Sequence, residues 1–347
     1  MSPVTGTYNA GSTLRFRWVP AGVVLVLASA LVGVVPDGVS AVAGRARCRP
    51  TAFVANNGSG TVSTIDVKTG RKNPADIVVG PLAAGVAVAP DGKTAFVTTQ
   101  RGTLSTIDVK TSTKDPADIT VGADSAGVAV TPDGKTAFVA NLASGTVSTV
   151  DVKTRTKRAD IPVGPGPLLV AVTPDAKTAF VANNVSTTVS TIDVKTRTKH
   201  PTDIDVGPFP YGVAVTPDGK TAFVTKSSGT LSTFDVKTRR KNADDIAVGT
   251  NLGGVAVTPD GKTAFVTNIG GTVSTIDVKT RAKHPTDIPV GSAPQGLAIT
   301  PDGKTAFVTN TISGTVSTID VKTRRKHPTD ISVGSLPIGV AITPCHR

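Results

Sequence analysis

The sequence predicts an all-β protein in which seven four-stranded antiparallel blades form a β-propeller. First, the segment TAFV recurs with its phenylalanine at positions 53, 96, 138, 180, 223, 265 and 307, a period of 42 or 43 residues. Second, each period holds four short apolar runs separated by turn residues. Third, all 25 acidic residues are Asp, and Val, Thr, Gly and Pro are abundant, which favours strands and turns over helices. Four-stranded repeats of this length are typical of propellers.

One repeat shows how the elements follow one another. In order it contains a first strand GVAVT (254–258), a turn PDGK (259–262), a second strand TAFVTN (263–268), a third strand TVSTIDV (272–278), a polar loop KTRAKHPT (279–286) and a fourth strand DIPVG (287–291). Both faces of the strands are apolar, which indicates blades packed face to face with the repeated Phe in the core. We expect the Asp of each DVKT segment to bond the backbone of the turn that follows it.

The two ends of the repeat region predict how the ring closes. The first repeat begins at Thr51 with a second strand, whereas the chain ends with a first strand, GVAIT (339–343). We expect this strand to take the innermost place of the first blade, which leaves no open edge. In that register Cys48 and Cys345 both fall at the Asp position of a PDGK turn. This coincidence predicts a disulfide between them, and two unrelated thiols are the alternative.

The repeat resembles the YVTN repeat of bacterial seven-bladed propellers, with Phe in place of Tyr. The resemblance rests on TAFVTN at 263–268 and 305–310, on PDGK, on STIDV and on the VG-x-x-P-x-G crossing, and it covers about residues 51–344. It implies an exported or surface-associated protein. Related propellers include lactonases and quinoprotein subunits.

The N-terminal segment predicts export. Basic residues at 15 and 17 precede an uncharged apolar stretch over 19–35, and Ala41 and Ala43 fit the −3 and −1 positions of a cleavage site. We therefore expect a signal peptide over residues 1–43, a propeller over 44–347, and a secreted or envelope-associated location with no stable membrane span after cleavage. An uncleaved membrane anchor is the alternative.

Antiparallel connectivity places the loops on two faces. Loops between second and third strands share one face with the crossings from blade to blade, and both vary between repeats, so recognition is expected there. The residues expected to face a ligand are Arg101, Asp124, Phe209, Tyr211, Lys226, Asn251 and Gln295. This arrangement predicts a binding or scaffold module for a protein, peptide or glycan. Loops that simply drift in sequence are the alternative.

The opposite face combines the PDGK turns with KT-x-x-K loops and is basic, in a chain of formal net charge +12. The residues expected to hold a polyanion are Lys153, Arg155, Lys157, Lys195, Arg197, Lys199, Lys237, Arg239, Arg240, Lys241, Lys322, Arg324, Arg325 and Lys326. Such a ring would attract cell-wall polymer, acidic lipid head groups or nucleic acid. A solvated turn that serves solubility is the alternative. No aromatic residues interleave with these charges, which argues against stacking on single-stranded nucleic acid.

No arrangement of residues predicts catalysis. His200, His284 and His327 fall in equivalent loops of different blades, Glu is absent, and no nucleophile elbow accompanies a His and an Asp. We therefore expect a monomer without enzyme activity, cofactor or metal. A lactonase-like or quinoprotein-like enzyme is the remaining alternative.

Overall fold

A computed structural model describes residues 49–344. These residues form seven antiparallel sheets, each with four strand positions, arranged as the predicted β-propeller. They contain no helix long and apolar enough to cross a membrane. The expected signal peptide and the expected Cys48–Cys345 disulfide lie outside the described residues.

We number the blades 1 to 7 along the chain and call the four positions inner, second, third and outer. The inner strands are Pro337–Ile342, Ala83–Val88, Ser125–Val130, Pro167–Val172, Pro210–Val215, Leu252–Val257 and Pro294–Ile299. The second strands are Thr51–Asn56, Thr94–Thr99, Thr136–Asn141, Thr178–Asn183, Thr221–Lys226, Thr263–Asn268 and Thr305–Asn310. The third strands are Thr61–Asp66, Thr103–Asp108, Thr146–Asp151, Thr188–Asp193, Thr230–Asp235, Thr272–Asp277 and Thr315–Asp320.

The outer strands are short, and most are interrupted. Their segments are Arg71–Lys72 with Ile77–Val78, Thr113–Lys114 with Ile119–Thr120, the continuous Thr156–Pro162, Thr198–Lys199 with Ile204–Asp205, Ile246–Ala247, Ile288–Pro289, and Arg325–Lys326 with Ile331–Ser332. The expected polar loop is therefore shorter than the sequence indicated, because its second Lys already pairs with the third strand. Blades 5 and 6 make the same pairing through single bridges, Phe234 to Lys241 and Ile276 to Lys283.

The C-terminal strand closes the ring as expected. Pro337–Ile342 pairs antiparallel with Thr51–Asn56, with Phe53 opposite Ala341 and Val54 opposite Val340. Thr51 and Thr343 extend the pairing, since the Thr343 N–H donates to Thr51 O at 2.9 Å. Blade 1 therefore combines strands from both ends of the repeat region.

The core lies between neighbouring blades. All seven repeated Phe side chains are at most 1% exposed, as expected for core residues. Inner strands approach so closely that a Cβ on Gly85 would lie 2.5 Å from the carbonyl oxygen of Ala126 in the next blade. Glycine at this position thus permits backbone contact between blades.

A threonine bridges neighbouring blades in four of the seven sheets. Each inner strand contains a bulge, as between Pro294 and Leu297 of blade 7. There the Thr309 hydroxyl accepts from Gly296 N–H at 2.8 Å and donates to Ile338 O of blade 1 at 2.7 Å. The equivalent residues in blades 2, 5 and 6 are Thr98, Thr225 and Thr267. The hydroxyl satisfies backbone groups left unpaired by the bulge.

Candidate functional site

The loops of the propeller form two faces with different chemistry. The variable face consists of the crossings between blades and the loops between second and third strands. The basic face consists of the PDGK turns and the turns between third and outer strands. Both assignments follow from the antiparallel pairing within every blade.

Each crossing on the variable face contains one residue in the left-handed backbone conformation, with φ between 50° and 64°. Its carbonyl oxygen accepts a hydrogen bond from the blade that the crossing enters, as Leu82 O does from Gln100 N–H at 3.0 Å. The seven residues are Leu82, Asp124, Gly166, Phe209, Asn251, Ala293 and Leu336. A side chain in this conformation costs roughly 1–2 kcal/mol, whereas glycine adopts it freely.

Large apolar side chains are exposed mainly on the variable face. Residues 49–344 expose six of them, namely Val78, Leu82, Val185, Phe209, Ile312 and Leu336. Three occupy the left-handed crossing position, and Val185 and Ile312 lie in loops between second and third strands. Val78 alone lies elsewhere, on the outer strand of blade 1. Phe209 is 57% exposed.

A layer of side chains meets at the propeller axis. The second residues of five inner strands, Ala84, Ala126, Leu168, Tyr211 and Ile338, belong to one buried hydrophobic cluster. Five blades come together only at the axis, so these side chains pack across it. Gly253 and Gln295 hold the same strand position in the other two blades.

Two polar groups are buried in or beside this axial layer. Tyr211 is 4% exposed, and desolvation raises the pKa of its phenol well above the ordinary value. Gln295 is fully buried, and neither atom of its amide has a hydrogen-bond partner within residues 49–344. A buried amide without partners is costly, which marks Gln295 as an exception in this core.

A ladder of polar side chains crosses most blades near the variable face. In blade 7, Asn310 Nδ2 donates to Ser317 Oγ at 2.9 Å, and Ser317 Oγ donates to Asp330 Oδ1 at 2.8 Å. Lys326 Nζ lies 2.7 Å from the same oxygen. The ladder ties the second strand to the outer strand through groups that satisfy one another.

Lys226 replaces the ladder Asn in blade 5. Its Nζ donates to Val206 O at 3.0 Å and pairs with Asp245, which also accepts from Ser232 at 2.7 Å and Lys241 at 3.0 Å. Burial raises the pKa of Asp245, but the hydrogen bonds from Lys226, Ser232 and Lys241 outweigh it and leave the pKa below its ordinary value.

The residues expected to face a ligand therefore divide into two groups. Phe209 and Arg101 are exposed, and Asp124 and Asn251 are half-buried at left-handed crossing positions. Partial burial raises the pKa of Asp124. Tyr211, Gln295 and Lys226 are buried, because the first two join the axial layer and the third joins the ladder. Sequence reasoning missed Leu82 and Leu336, which stand where Phe209 stands in the repeat.

On the basic face, the third-strand Asp residues hold the turns as expected. Asp277 Oδ1 accepts from the Thr280 N–H at 2.7 Å and from the Thr280 hydroxyl at 2.8 Å. The turn then places the next residue at positive φ. That residue is Gly70 in blade 1, Ser112 in blade 2, and Arg155, Arg197, Arg239, Arg281 and Arg324 in blades 3 to 7. Five arginines thus occupy a conformation that favours glycine.

The basic residues expected to hold a polyanion are also of two kinds. The outer-strand lysines Lys157, Lys199, Lys241 and Lys326 pair with Asp residues of their own blades at 2.7–3.0 Å. The turn residues Lys153, Lys195, Lys237 and Lys322 are exposed. Arg197, Arg239, Arg240, Arg324 and Arg325 make no ion pair within residues 49–344. The unpaired positive charge among these residues therefore lies in the turns and on Arg325, at the start of the outer strand of blade 7.

One turn arginine already binds a carboxylate. Arg155 of blade 3 pairs through Nη1 with Asp115 Oδ2 of blade 2, and the same oxygen accepts from the Thr106 hydroxyl at 2.6 Å. The Thr106 hydrogen bond and Arg155 together lower the pKa of Asp115 against the opposing effect of burial. This junction between blades is built to stabilise an anion.

A sequence model of the cytochrome D1 heme domain matches residues 51–252, more than half of the chain. The chain belongs to this family. No curated protein matches its sequence.

The fold of this chain is similar to that of several solved structures. A hydrazine synthase from Kuenenia stuttgartiensis is 25% identical with a TM-score of 0.64, over 69% of this chain and 77% of that chain. A protein of unknown function from Desulfotomaculum acetoxidans is 15% identical with a TM-score of 0.75, over 85% and 99%. A protein assigned as a 6-phosphogluconolactonase from Bacteroides uniformis is 18% identical with a TM-score of 0.73, over 85% and 99%. The last two likenesses concern the fold alone.

The family implies a haem, but the described residues do not fit one. Haem iron takes an axial ligand from His, Cys, Met or Tyr. Within residues 49–344, the rings of His200, His284 and His327 lie on the basic face, where each Nδ1 accepts a backbone N–H two residues on. Tyr211 lies at the axis, but it is packed within the axial layer. Residues 49–344 also hold no cluster of three His, Cys, Asp or Glu that suits a metal.

Proposed function

We propose that this propeller is an exported binding module that holds a protein or peptide partner against its variable face. The observation that carries the proposal is the left-handed, exposed state of Leu82, Phe209 and Leu336 at one repeated position. Each side chain is unfavourable in its backbone conformation and leaves apolar surface in water. Strained residues without a packing role are concentrated at functional sites.

Other crossings show what the fold alone would prefer at this position. Gly166 and Asn251 occupy it in blades 4 and 6, and these are the residue types that tolerate positive φ best. A Leu or Phe there adds roughly 1–2 kcal/mol of strain per residue. The fold gains little in return, because the side chains are 39–57% exposed. A bound partner that buries them would supply the missing gain.

The surroundings of these residues favour an apolar protein surface as the partner. Ile312 of blade 7 adds a fourth exposed apolar side chain near Leu336, because the hydroxyl of its neighbour Thr311 donates to Pro337 O at 2.8 Å. Val185 lies beside Phe209, since Phe209 N–H donates to Ser186 O at 3.1 Å. Apolar centres with few charges are typical of protein interfaces.

The experiment compares the protein with a triple variant, Leu82→Gly, Phe209→Gly and Leu336→Gly, in quantitative capture from the native cell envelope. We expect the variant to lose specific partners while its free energy of unfolding stays within about 1 kcal/mol, because relief of strain offsets added chain entropy. Val78→Ser is the matched control, since it removes an exposed apolar side chain from outside the face. Capture of the same proteins by the triple variant would refute the proposal.

The resemblance to exported YVTN propellers supports the location, and the family match leaves an enzyme as the competing function. An absorption spectrum of the purified protein separates the two. A haem band at stoichiometric intensity would overturn the binding proposal. We expect no such band, because residues 49–344 supply no fitting axial ligand at an open site.

A further inference from the structure

The junction of blades 2 and 3 shows how this fold binds a negatively charged oxygen, here that of the Asp115 carboxylate. Asp115 Oδ2 receives two donors from different blades, the Thr106 hydroxyl at 2.6 Å and the Arg155 guanidinium. The position of Arg155 is set by its turn, in which φ is 56° and the N–H donates to Asp151 O at 2.8 Å. An oxygen with negative charge at this point is therefore bound by Thr and Arg together.

The same turn recurs at two other junctions, where the position of Asp115 does not hold a carboxylate. Arg239 of blade 5 and Arg324 of blade 7 have φ of 57° and 55°, and each N–H donates to its third-strand Asp carbonyl at 2.8 Å. The residues that align with Asp115 in the preceding blades are His200 and His284. The guanidinium groups of Arg239 and Arg324 have no partner within residues 49–344.

The threonines that align with Thr106 are left without a partner at the same two junctions. Thr191 and Thr275 are 3% and 2% exposed, and neither hydroxyl has a hydrogen-bond partner within residues 49–344. Such an unsatisfied buried group is costly. At each of these two junctions, the counterparts of Thr106 and Arg155 therefore both lack an acceptor.

We propose that the junctions of blades 4 and 5, and of blades 6 and 7, each bind a phosphate group. Its oxygen takes the place of the Asp115 carboxylate, between Thr191 and Arg239 in one site and between Thr275 and Arg324 in the other. The imidazole of His200 or His284 turns aside to admit the oxygen and contacts the group at the rim. Arginine suits phosphate because its planar donors match two oxygens at once.

The remaining junctions lack one part of this arrangement. His327 of blade 7 lies next to Gly70 rather than an arginine. At the junction of blades 5 and 6, Thr233 is already satisfied, since it accepts from Asn242 Nδ2 at 2.7 Å. The Thr64 hydroxyl of blade 1 has no partner within residues 49–344, but the turn position of the next blade holds Ser112 instead of an arginine. At the junction of blades 3 and 4, the Thr149 hydroxyl already donates to Ala159 O at 3.4 Å. The proposal is therefore specific to two junctions, and His327 serves as an internal control.

The first test follows the imidazole C2 proton resonances by NMR while inorganic phosphate is added to the full chain at low salt. We expect the resonances of His200 and His284 to shift together and that of His327 to stay in place. Equal shifts of all three would show an adventitious ion only and would overturn the proposal. A short poly(glycerol phosphate) serves as a second probe. Tighter binding of the polymer than of phosphate identifies a phosphodiester chain as the source, and equal binding identifies the free ion.

The second test restores or removes the internal carboxylate. His200→Asp with His284→Asp should weaken phosphate binding at least about tenfold and raise the melting temperature, because the new carboxylates satisfy Thr and Arg as in blade 2. Lys220→Gln with Lys304→Gln lowers the net charge equally on the same face and should change binding less than about threefold. Equal losses in the two variants would reduce the effect to general charge and refute the sites.

Asp115→His supplies the reciprocal experiment. It removes the internal anion from Arg155 and Thr106 and should create a third site, seen as a new His resonance that responds to phosphate. A new resonance that ignores phosphate while the His200 and His284 resonances respond would contradict the proposed equivalence of the junctions.

Discussion

Replacement of Thr309 by Val isolates one bridge between blades at the point where the ring closes. The Thr309 hydroxyl accepts from Gly296 N–H of its own blade and donates to Ile338 O on the closing strand of blade 1. Valine has nearly the same shape, so Thr309→Val removes both hydrogen bonds without leaving a large cavity. The two backbone groups then remain buried without their partner.

The expected loss follows from those two groups. Each stranded backbone group costs about 1–3 kcal/mol, which gives about 2–6 kcal/mol for the pair. Ala55 and Ala140 hold this position in blades 1 and 3, so a blade folds without the bridge and the lower part of the range applies. We expect a loss of about 2–4 kcal/mol. For a domain of this size, that loss lowers the melting temperature by about 3–6 °C.

Calorimetry and urea unfolding of the purified protein measure the loss. Thr305→Val is the matched control, because Thr305 begins the same strand, is half-exposed, and its hydroxyl makes no hydrogen bond within residues 49–344. We expect the control to stay within about 0.5 kcal/mol of the original protein. A Thr309→Val variant as stable as the control would refute the role assigned to the bridge.

Three further predictions concern groups whose state is evident from the structure. Gln295→Leu should raise the free energy of unfolding, measured in urea, by about 1–3 kcal/mol, because it removes a buried amide without partners. A decrease would contradict this and would reveal a water or ligand bound to that amide. Lys226→Met should lower the free energy of unfolding by roughly 1–2 kcal/mol. This loss is smaller than the roughly 3–5 kcal/mol of a buried charge without a partner, because Asp245 keeps its ion pair with Lys241. A larger loss on thermal unfolding would contradict this sharing of Asp245. Turn hydrogen bonds from Thr154 and the ion pair with Arg158 lower the pKa of Asp151 to about 2 from 3.8. The contribution of Asp151 to stability is complete above the unfolded pKa and disappears as pH falls through the folded pKa. Below about pH 4, the free energy of unfolding should therefore fall less steeply with decreasing pH in Asp151→Asn than in the original protein. Identical pH dependence of the two proteins would contradict this assignment.

Much of the fold could be predicted from the sequence because its cause is local and repeated. The TAFV period, the PDGK turns and the incomplete first and last repeats each act within one blade or at one closure, and the structure confirms all three. The role of the third-strand Asp was equally predictable, since it bonds the turn three residues on. The length of the outer strand was not, because pairing of Lys283 with Ile276 depends on how the chain folds back.

The candidate sites show where sequence reasoning stops. In one repeat, Gly70 stands at the turn position that Arg155 holds in blade 3, and in another, Gly166 stands at the crossing position of Phe209. These two glycines were the available signal that both positions have positive φ. Alignment of repeats also places His200 at the position of Asp115. Nothing local shows that Tyr211 and Gln295 turn into the axis rather than toward solvent.

By itself, the sequence determined the all-β class, the number of blades, the closure of the ring and the assignment of the loops to two faces. These follow from periodicity, turn chemistry and antiparallel connectivity, which act over a few residues. Only the tertiary structure decided which polar groups are buried and which arginine meets a carboxylate of the neighbouring blade. Those outcomes depend on contacts between residues about 40 positions apart, such as Arg155 and Asp115, which packing of one blade on the next brings together.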